Sequence, residues 1–501
     1  MPILMPERAL RGAARHHGWL GEHVPLFECP DPAIQDTYYF RWGVYREHIR
    51  RTPAGHVVTE FLADVPWAGA HNTISCAAGH HLYEGRWLRD AAPLDDYARF
   101  WLRPGAPLRR YSSWLADAVY ARALVTGDTR LPVALLDDLA RNYEGWEAER
   151  RDETGLFWQL DDADGMEYQI GGSGCRPTIN SYMYGDALAI ARIAATAGRA
   201  DLEAAFRSRA VRLKGLVQAR LWDAEAQFFK TLPTAPALAL QAERYRGHAL
   251  GPDQPAGRLA DVRELIGYIP WCFNLPDPGH EAAWAQLADP AGFRGTHGPA
   301  TAERRHPAWQ PTPLAGQHEC LWRGASWPFA TAQTLVALAN VLRDYEQAYV
   351  GRDSYLDLLR TYARSHRIAR PDGGTVPWID ESLHPDTGAW VTRETLHAQG
   401  RPDRDRGRDY NHSTFCDLVI TGLVGLRPRA DEVVEVDPLL PDGVWPYFCL
   451  DRVRYHGHDL TILYDATGSR YGRGAGLRIH VDGREVAACA ALGRMRVPLD
   501  G

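Results

Sequence analysis

A switch in hydrophobic period near residue 430 constrains the fold of this chain more than any other feature of its sequence. Up to residue 426, apolar residues recur at helical spacing in one run after another, and loops rich in Gly, Pro and Trp separate the runs. The runs predict helices over 36–50, 94–102, 112–125, 131–150, 179–197, 202–219, 329–345, 355–366 and 409–426, the last with Ser413 as its N-cap. Helices that alternate with loops in this way indicate helical hairpins arranged in a ring, although the pattern does not fix a closed barrel.

After residue 430 the apolar residues follow the period of a strand. Strands are predicted over 433–436, 448–455, 460–464, 477–481 and 485–488, with turns at His456-Gly457 and Asp482-Gly483. The sequence therefore predicts a mainly α domain over residues 1–429 and a small C-terminal β-sheet domain over 430–501. Within the helical part, the polar interval 231–258 is expected to be an excursion and not a core element.

Charge and cysteine usage exclude several classes of protein. The formal net charge is −7, Lys214 and Lys230 are the only lysines, and no block of like charge marks a nucleic-acid or membrane surface. We find no apolar run long enough for a signal peptide or a membrane span. The eight cysteines have neither CxxC nor metal-finger spacing, which is typical of reduced core residues and favours a cytoplasmic enzyme.

The stretch 161–186 combines acids, glycines and aromatic rings just ahead of a predicted helix. It contains three aspartates in four residues, then Glu167, a Gly-Gly-Ser-Gly loop and several polar side chains: Asp161, Asp162, Asp164, Tyr168, Arg176, Asn180 and Tyr182. A sugar-cleaving site on a loop would have this composition. The alternative is a surface acidic turn that caps the helix. The crowding of tyrosines in the segment favours a site, because a solvated turn rarely carries so many rings.

Three further stretches concentrate side chains that suit a binding cleft. Residues 66–90 carry His71, His80, His81, Arg86, Trp87 and Asp90; residues 318–345 carry Glu319, Trp322, Arg323 and Trp327; residues 377–390 carry Trp378 and Glu381. The three histidines lack the i, i+4 spacing of a helical zinc site, so we predict no metal and no cofactor. Each tryptophan is equally compatible with core packing and with stacking on a sugar.

Four short motifs follow one another along these stretches and beyond: Asp164-Gly165-Met166-Glu167, Trp322-Arg323-Gly324-Ala325-Ser326-Trp327-Pro328, Glu381-Ser382-Leu383-His384-Pro385-Asp386-Thr387-Gly388 and Tyr410-Asn411-His412-Ser413-Thr414. At these motifs the sequence resembles inverting glycoside hydrolases with a six-hairpin α/α toroid. It resembles in particular the mannosylglycerate-hydrolase-like domain, which is related to the processing α-glucosidases of family 63. The form with a terminal β domain also resembles family 142, whose known activity is on β-L-arabinofuranosides.

The resemblance covers roughly residues 60–426 and implies that one carboxyl is the general acid and another the general base. The family places its acid, an aspartate, after a Gly-Met or Gly-Leu pair, where this chain has Glu167. It places its base in the loop that begins here at Glu381. This chain thus has a glutamate where the family has an aspartate, and it lacks the tryptophan that the family has just before the position of Ser413. Because of these two departures, the resemblance does not carry glucose over to this chain as the substrate.

The resulting hypothesis is an inverting exo-glycoside hydrolase for a short oligosaccharide or small glycoside. Glu167 protonates the leaving oxygen, with a pKa raised by burial and by Asp164 or Asp161, and Glu381 deprotonates the water. Glu319 and Asp90 are rivals for either role. We expect the following side chains to bind substrate: Arg86, Trp87, Asp90, Tyr168, Arg176, Asn180, Trp322, Arg323, Trp327, Trp378 and His412.

Two alternatives belong to other functional classes. An inverting phosphorylase on the same fold would use phosphate in place of water, and the loop 171–176 would be its phosphate pocket. A carbohydrate-binding protein without catalysis is the other. In each case the expected partner is a small carbohydrate, with no nucleic acid and no membrane.

Overall fold

The computed structural model describes residues 3–10, 15–246 and 254–499. The described part of the chain before residue 400 is mainly α-helices and the loops between them, and the helices have these bounds: Pro6–Ala9, His17–His23, Pro32–His48, Ala78–Gly85, Ala92–Trp101, Leu115–Thr126, Arg130–Ala134, Leu136–Arg150, Pro177–Thr196, Ala200–Leu221, Ala235–Arg244, Ala285–Ala288, Pro328–Asp344, Arg352–Ser365 and Val391–Ala398. Short 3₁₀ helices lie at Pro66–Ala68, Ser75–Ala77, Leu108–Arg110, Asp162–Asp164, Leu265–Phe273 and Glu281–Trp284.

Most predicted helices are confirmed, with ends that shift by a few residues. Proline at the first turn begins several of them early, as at Pro32, where the Asp31 carboxylate accepts the amides of Ala33 and Ile34. The helix predicted over 131–150 is divided at Leu135 into Arg130–Ala134 and Leu136–Arg150. The interval 231–258 contains an unpredicted helix, Ala235–Arg244, and its residues 247–253 lie outside the described part of the chain.

The last predicted helix is the largest error. A π-helix occupies only Leu418–Val424, and Ser413 is not its cap, because the Ser413 hydroxyl accepts a hydrogen bond from Tyr362. The amides of Phe415, Cys416 and Asp417 instead donate to the carboxylate of Glu84, at 2.8–3.2 Å. A cap supplied by a residue more than 300 positions away leaves no local pattern in the sequence.

Six helical elements pack against one another in succession around the middle of the molecule: Ala78–Gly85, Leu115–Thr126, Pro177–Thr196, Leu265–Phe273, Pro328–Asp344 and Leu418–Val424. Longer helices lie outside them, as Ala200–Leu221 does against Pro177–Thr196 and Arg352–Ser365 against Pro328–Asp344. Seven tryptophans of the described residues are wholly buried in this packing: Trp42, Trp87, Trp101, Trp146, Trp271, Trp284 and Trp322. The loops at one end of these elements carry the site described below.

The C-terminal part consists of two antiparallel sheets. The first has the strand order Leu26–Glu28, Tyr447–Tyr455, His458–Asp465, Gly476–Val481 and Arg484–Cys489. The second has the order Leu426–Arg427, Val433–Val436 and Met495–Pro498. The five predicted strands and both predicted turns are confirmed. All four turn residues have positive φ, as a two-residue type I′ hairpin turn requires.

One strand of the larger sheet comes from the other end of the chain. Leu26–Glu28 pairs with Cys449–Asp451, so the N-terminal segment forms the edge of the C-terminal sheet. Short ladders between the helices complete the described strands: Ile49–Thr52 with Gly55–Val58, Trp158–Gln159 with Gly174–Cys175 and Leu232–Pro233, Trp222–Asp223 with Phe228–Phe229, and Arg367–Ala369 with Thr375–Pro377. Among the described helices, none has the length and apolar character needed to cross a membrane.

Candidate active site

A cavity of about 180 Å³ lies where the loops between the inner helical elements converge. Both glutamates singled out from the sequence line it, Glu167 from the loop before Pro177–Thr196 and Glu381 from the loop before Val391–Ala398. The remaining lining residues are Glu60, Phe61, Trp67, Ile74, Cys76, Tyr111, Gly165, His318, Glu319, Cys320, Trp322, Trp327, Phe329, Arg406, Tyr410 and His412. Residues from six separate stretches therefore meet at one place.

The backbone around Glu167 turns sharply, and this turn places the side chain at the cavity. Gly165 has a φ of +71°, and a Cβ at that position would collide with the Cys76 sulfur. Tyr168, on the other side of Glu167, holds a φ of +60°, which is strained for a residue with a bulky side chain. The carbonyl of Glu167 accepts the Trp322 amide at 3.0 Å, which fixes the turn to the Trp322–Trp327 segment.

The surroundings of Glu167 favour its protonated form. Burial is the main cause that raises the pKa of this carboxyl to about 8, and the negative charges of Asp162, Asp161 and Glu381 act in the same direction. Asp164 has a different role from the one the sequence suggested, because it is wholly buried and paired with Arg176 at 2.5 Å. Glu167 is thus a carboxyl that keeps its proton near neutral pH.

Glu381 has the opposite environment. Its Oε1 accepts a hydrogen bond from Arg406 Nε at 3.0 Å, and its Oε2 accepts one from the Cys320 thiol at 3.0 Å. Both oxygens of this carboxyl are therefore oriented by neighbouring donors. The loop is held in place by reciprocal backbone hydrogen bonds between Leu383 and Ser326, which tie Glu381 to the Trp322–Pro328 motif.

Arg406 is shared among several acids, and this decides the state of Glu319. The Arg406 Nη2 lies 3.0 Å from Glu319 Oε1, and the guanidinium lies 5.0 Å above the ring of Trp67. Burial opposes ionisation of Glu319, but the charges of His318 and Arg406 outweigh it and lower the pKa of this carboxyl. Glu319 is therefore a salt-bridged carboxylate and not a proton donor.

Glu60 is a third carboxyl at the cavity that sequence reasoning missed. It follows the strand Gly55–Val58, in a segment for which the sequence analysis proposed no functional residue. The Tyr410 hydroxyl donates to Glu60 Oε1 at 2.6 Å, and burial, with the charge of Glu381, raises the Glu60 pKa to about 8. Arg406, Tyr410, Trp67 and Cys320 also line the cavity and were not predicted. Tyr410, Trp67 and Cys320 lie in stretches that the sequence singled out, whereas Glu60 and Arg406 stand in no such pattern.

Aromatic rings form much of the cavity wall. Trp322 and Trp327 stack on each other, with centroids 4.3 Å apart and an interplanar angle of 13°. The ring of His412 lies 3.7 Å from that of Tyr410. Burial holds the pKa of His412 well below its usual value, with the charges of His80 and Arg41 acting in the same direction, so this ring is neutral. Such walls suit the C–H faces of a sugar ring.

Most of the predicted substrate-binding residues lie outside the cavity lining. Arg86 and Trp87 are buried, and both donate to Asp417 Oδ1, at 2.9 and 2.7 Å. Asp90 is exposed and accepts the Ala92 amide at the start of a helix. The other members of this group are Tyr168, Arg176, Asn180, Arg323 and Trp378. Of the predicted binders, Trp322, Trp327 and His412 line the cavity.

The loop 171–176 does not present a phosphate pocket. The Gly171 amide donates to Glu264 and the Ser173 amide to Gln241, at 3.1 and 3.0 Å. Arg176 is wholly buried, paired with Asp164 and bonded to the Gly172 carbonyl. The amides and the cation that an anion would need are already used within the protein.

The histidines of the 66–90 stretch are not gathered as metal ligands. His81 contacts the Tyr97 hydroxyl and the Asn411 carbonyl, whereas His80 lies edge-on between the rings of Trp114 and Phe329. Within the described residues, the ligand atoms of His318, Glu319 and Cys320 do lie within 4.8 Å of one another. In that group, however, Glu319 pairs with Arg406 and the Cys320 thiol donates to Glu381.

Residues 70–413 match the model of the mannosylglycerate hydrolase MGH1-like glycoside hydrolase domain. The chain belongs to this family. A second match, to the C-terminal domain of glycosyl hydrolase family 65, covers residues 426–488. The first match ends at residue 413 and the second begins at residue 426, where the helical part gives way to the β-sheet part.

Solved structures extend the comparison to the fold. A protein titled "Sialidase" is 42% identical, with a TM-score of 0.86 over 96% of this chain and 42% of the sialidase chain. The present chain therefore spans less than half the length of that relative. A GH78 family rhamnosidase of Bacillus sp. GL1 is 14% identical, with a TM-score of 0.58 over 91% of this chain and 41% of its own. The GH63 mannosylglycerate hydrolase from Thermus thermophilus, in complex with Tris and D-glycerate, is 13% identical, with a TM-score of 0.53 over 77% of this chain and 100% of its own. The last two show a common fold.

Proposed function

We propose that this member of the family is an inverting exo-glycosidase, with Glu167 as general acid and Glu381 as general base. One observation supports this assignment above the others. Two carboxyls line the same cavity in opposite surroundings, Glu167 with a pKa raised to about 8 and Glu381 in contact with the Arg406 guanidinium. Glycoside hydrolysis needs one carboxyl with its proton and one without.

The proposed reaction is a single displacement. Glu167 transfers its proton to the glycosidic oxygen as the bond from the anomeric carbon to that oxygen breaks. Glu381 takes a proton from a water molecule, whose oxygen forms the new bond on the opposite face of the sugar. The configuration inverts, and the expected separation of the two carboxyls is about 6.5–9.5 Å. The protons return through solvent exchange after the products leave.

We also propose that the helical part is a six-hairpin toroid. The six inner helical elements pack in succession, and the ring closes where Glu84 bonds the amides of 415–417 and Arg86 pairs with Asp417. In this proposal residues 1–429 form the catalytic barrel and residues 430–501 the C-terminal sheet, to which Leu26–Glu28 adds a strand.

The size of the cavity favours cleavage at a chain end. At about 180 Å³ it has room for little more than one sugar unit, and loops that carry Trp67, Tyr410 and Arg406 surround it. A long polymer crossing such a cavity would meet these loops. A short oligosaccharide or small glycoside, bound by its terminal residue, fits this shape.

The decisive experiment compares Glu167→Gln and Glu381→Gln with the unchanged protein on a panel of aryl glycosides of both anomers. Each variant should lower kcat by at least about 10³-fold, since each removes a proton-transfer step, while the melting temperature stays within a few degrees. Glu346→Gln is the matched control, because Glu346 is exposed and remote from the cavity lining. Near-normal turnover in either variant would remove that residue from its role.

The same panel separates the alternatives. Proton NMR of the first product formed should show the anomer opposite to that of the substrate; retention would exclude single displacement. Cleavage that depends on added phosphate would indicate a phosphorylase, and binding without any cleavage would indicate a carbohydrate-binding protein.

A further inference from the structure

We propose that Glu60 determines substrate specificity in this cavity: it holds a hydroxyl group of an uncharged terminal sugar, and the acidic lining excludes sugars that carry a carboxylate. The inference rests on the proposed glycosidase function and names its substrate class. Glu60 precedes residues 70–413, which the family model matches, so the match assigns it no role.

The first support is an unused oxygen on a buried side chain. Glu60 is only 2% exposed, and its Oε1 is taken by the Tyr410 hydroxyl at 2.6 Å. Its Oε2 has no hydrogen-bond partner within the described residues. A buried carboxyl oxygen left in this state is unfavourable, and a bound hydroxyl would satisfy it.

Another polar atom of the cavity wall is open in the same way. Nε1 of Trp322 is buried and finds no partner among the described residues, and its side chain lines the cavity with Glu60 and with the neutral ring of His412. An indole offers a donor, a neutral imidazole offers one donor and one acceptor, and a carboxyl oxygen offers a donor when protonated and an acceptor when ionised. Neighbouring hydroxyls of a sugar ring, each both donor and acceptor, match this set.

The second support is the balance of charge. Four glutamates line the cavity: Glu60, Glu167, Glu319 and Glu381. Within the part of the chain that the structure describes, Arg406 is the only Lys or Arg in the lining, and its guanidinium already contacts Glu319, Glu381 and Asp403, at 3.0, 3.0 and 3.6 Å. A sugar carboxylate would enter without a free guanidinium and beside the salt-bridged carboxylate of Glu319. An uncharged sugar meets no such opposition.

The test begins with the unchanged protein on neutral aryl pentosides and hexosides, an aryl glucuronide and an aryl sialoside. We expect kcat/KM for the best neutral substrate to exceed that for either carboxylated sugar by at least about 10³-fold, since the binding pocket leaves an added carboxylate unpaired. Efficient cleavage of a carboxylated sugar would overturn the inference and leave the glycosidase proposal intact. If no glycoside of any kind is cleaved, the proposed function itself fails.

Glu60→Ala and the isosteric Glu60→Gln then test the residue. On the best neutral substrate, Glu60→Ala should lower kcat/KM by about 10²–10⁴-fold, because a site built to bond a hydroxyl discriminates strongly when the bond is lost. Monodeoxy analogues of that substrate distinguish a hydroxyl contact from a merely structural role. With the unchanged protein, the analogue that lacks the bonded hydroxyl should have a lower kcat/KM than the full substrate. With Glu60→Ala, the full substrate and that analogue should have nearly the same kcat/KM.

Thermal unfolding checks that each variant folds, and Glu60→Gln decides the matter if Glu60→Ala does not fold. A Glu60→Gln protein within about threefold of the unchanged protein on every analogue would overturn the inference. A second result would also overturn the inference: kcat/KM of the Glu60→Gln protein no longer falls at alkaline pH, whereas kcat/KM of the Glu167→Gln protein still does. Glu60 would then be the acid. Glu346→Gln again serves as the control and should behave as the unchanged protein.

Discussion

At the scale of single residues, the environment of each carboxyl differs more than its sequence neighbourhood would suggest. Glu167, Glu319, Glu381 and Glu60 line one small cavity, yet burial raises the pKa of Glu60 and Glu167 to about 8 while Arg406 holds the other two in ion pairs. One arginine therefore divides the four acids into two buried carboxyls with a raised pKa and two that are held in ion pairs. That division makes acid–base chemistry feasible at neutral pH.

The raised pKa of Glu167 predicts the alkaline limb of the pH profile. The protonated form is present below a pKa of about 8 and is lost as the pH rises through that value, so kcat/KM should fall above about pH 8. Steady-state rates measured from mildly acidic to strongly alkaline pH check this. Because the Glu60 pKa is also about 8, the Glu60→Gln protein provides the control and should keep the same alkaline limb at a lower rate.

Replacing Arg406 should disturb both the chemistry and the fold. Arg406→Met leaves Glu319 and Glu381 as buried acids without a cation and removes the hydrogen bond that orients Glu381 Oε1, so kcat should fall. Loss of a buried partner should also cost about 3–5 kcal/mol of unfolding free energy. Arg404→Met, at a half-exposed neighbouring position, is the matched control. An unchanged kcat would contradict the pairing of Arg406 with the base.

At the scale of secondary-structure elements, the segment 409–417 is held by distant side chains and not by its own sequence. It carries Tyr410 and His412 to the cavity, and the Glu84 carboxylate bonds three of its amides. The sequence predicts a continuous helix here because its apolar residues are frequent. The structure has a loop followed by a short π-helix, because the Glu84 carboxylate accepts the amide hydrogen bonds that preceding carbonyls of a helix would otherwise accept.

Glu84→Ala tests this arrangement. Three amides would lose their buried acceptor, so we expect a loss of about 3 kcal/mol or more in unfolding free energy, together with a fall in kcat as Tyr410 and His412 lose their positions. Denaturant unfolding and steady-state kinetics measure the two effects. Glu346→Ala, on the exposed surface, should change neither. A variant as stable as the unchanged protein would show that the Glu84 cap is dispensable.

At the scale of the whole molecule, the two ends of the chain are joined in one sheet. Leu26–Glu28 pairs with Tyr447–Tyr455, and Phe27 is wholly buried in the continuous core that spans the helices and the sheet. This packing joins the β-sheet part to the helical part through a segment that precedes all the long helices. The two parts should therefore unfold together.

Phe27→Ala tests that coupling. Deleting a buried phenyl ring should lower the unfolding free energy by about 3–5 kcal/mol, and a single transition should shift in both far-ultraviolet circular dichroism and tryptophan fluorescence. Val211→Ala, with a side chain that is 72% exposed, should change the unfolding free energy by no more than about 0.5 kcal/mol. Two separate transitions would show that the parts are independent.

The sequence by itself determined the elements whose signals are local. Apolar periodicity and the His456-Gly457 and Asp482-Gly483 turns predicted most helices and strands within a few residues, since each depends on neighbours along the chain. It also marked the two loops whose glutamates meet at the cavity. Tertiary structure alone decided what surrounds them: that Glu60, Arg406 and Tyr410 belong to the site, and that Arg86, Asp90 and Arg176 lie outside its lining. Burial, ion pairing and capping depend on groups brought together from distant parts of the chain, and no pattern of adjacent residues records those distances.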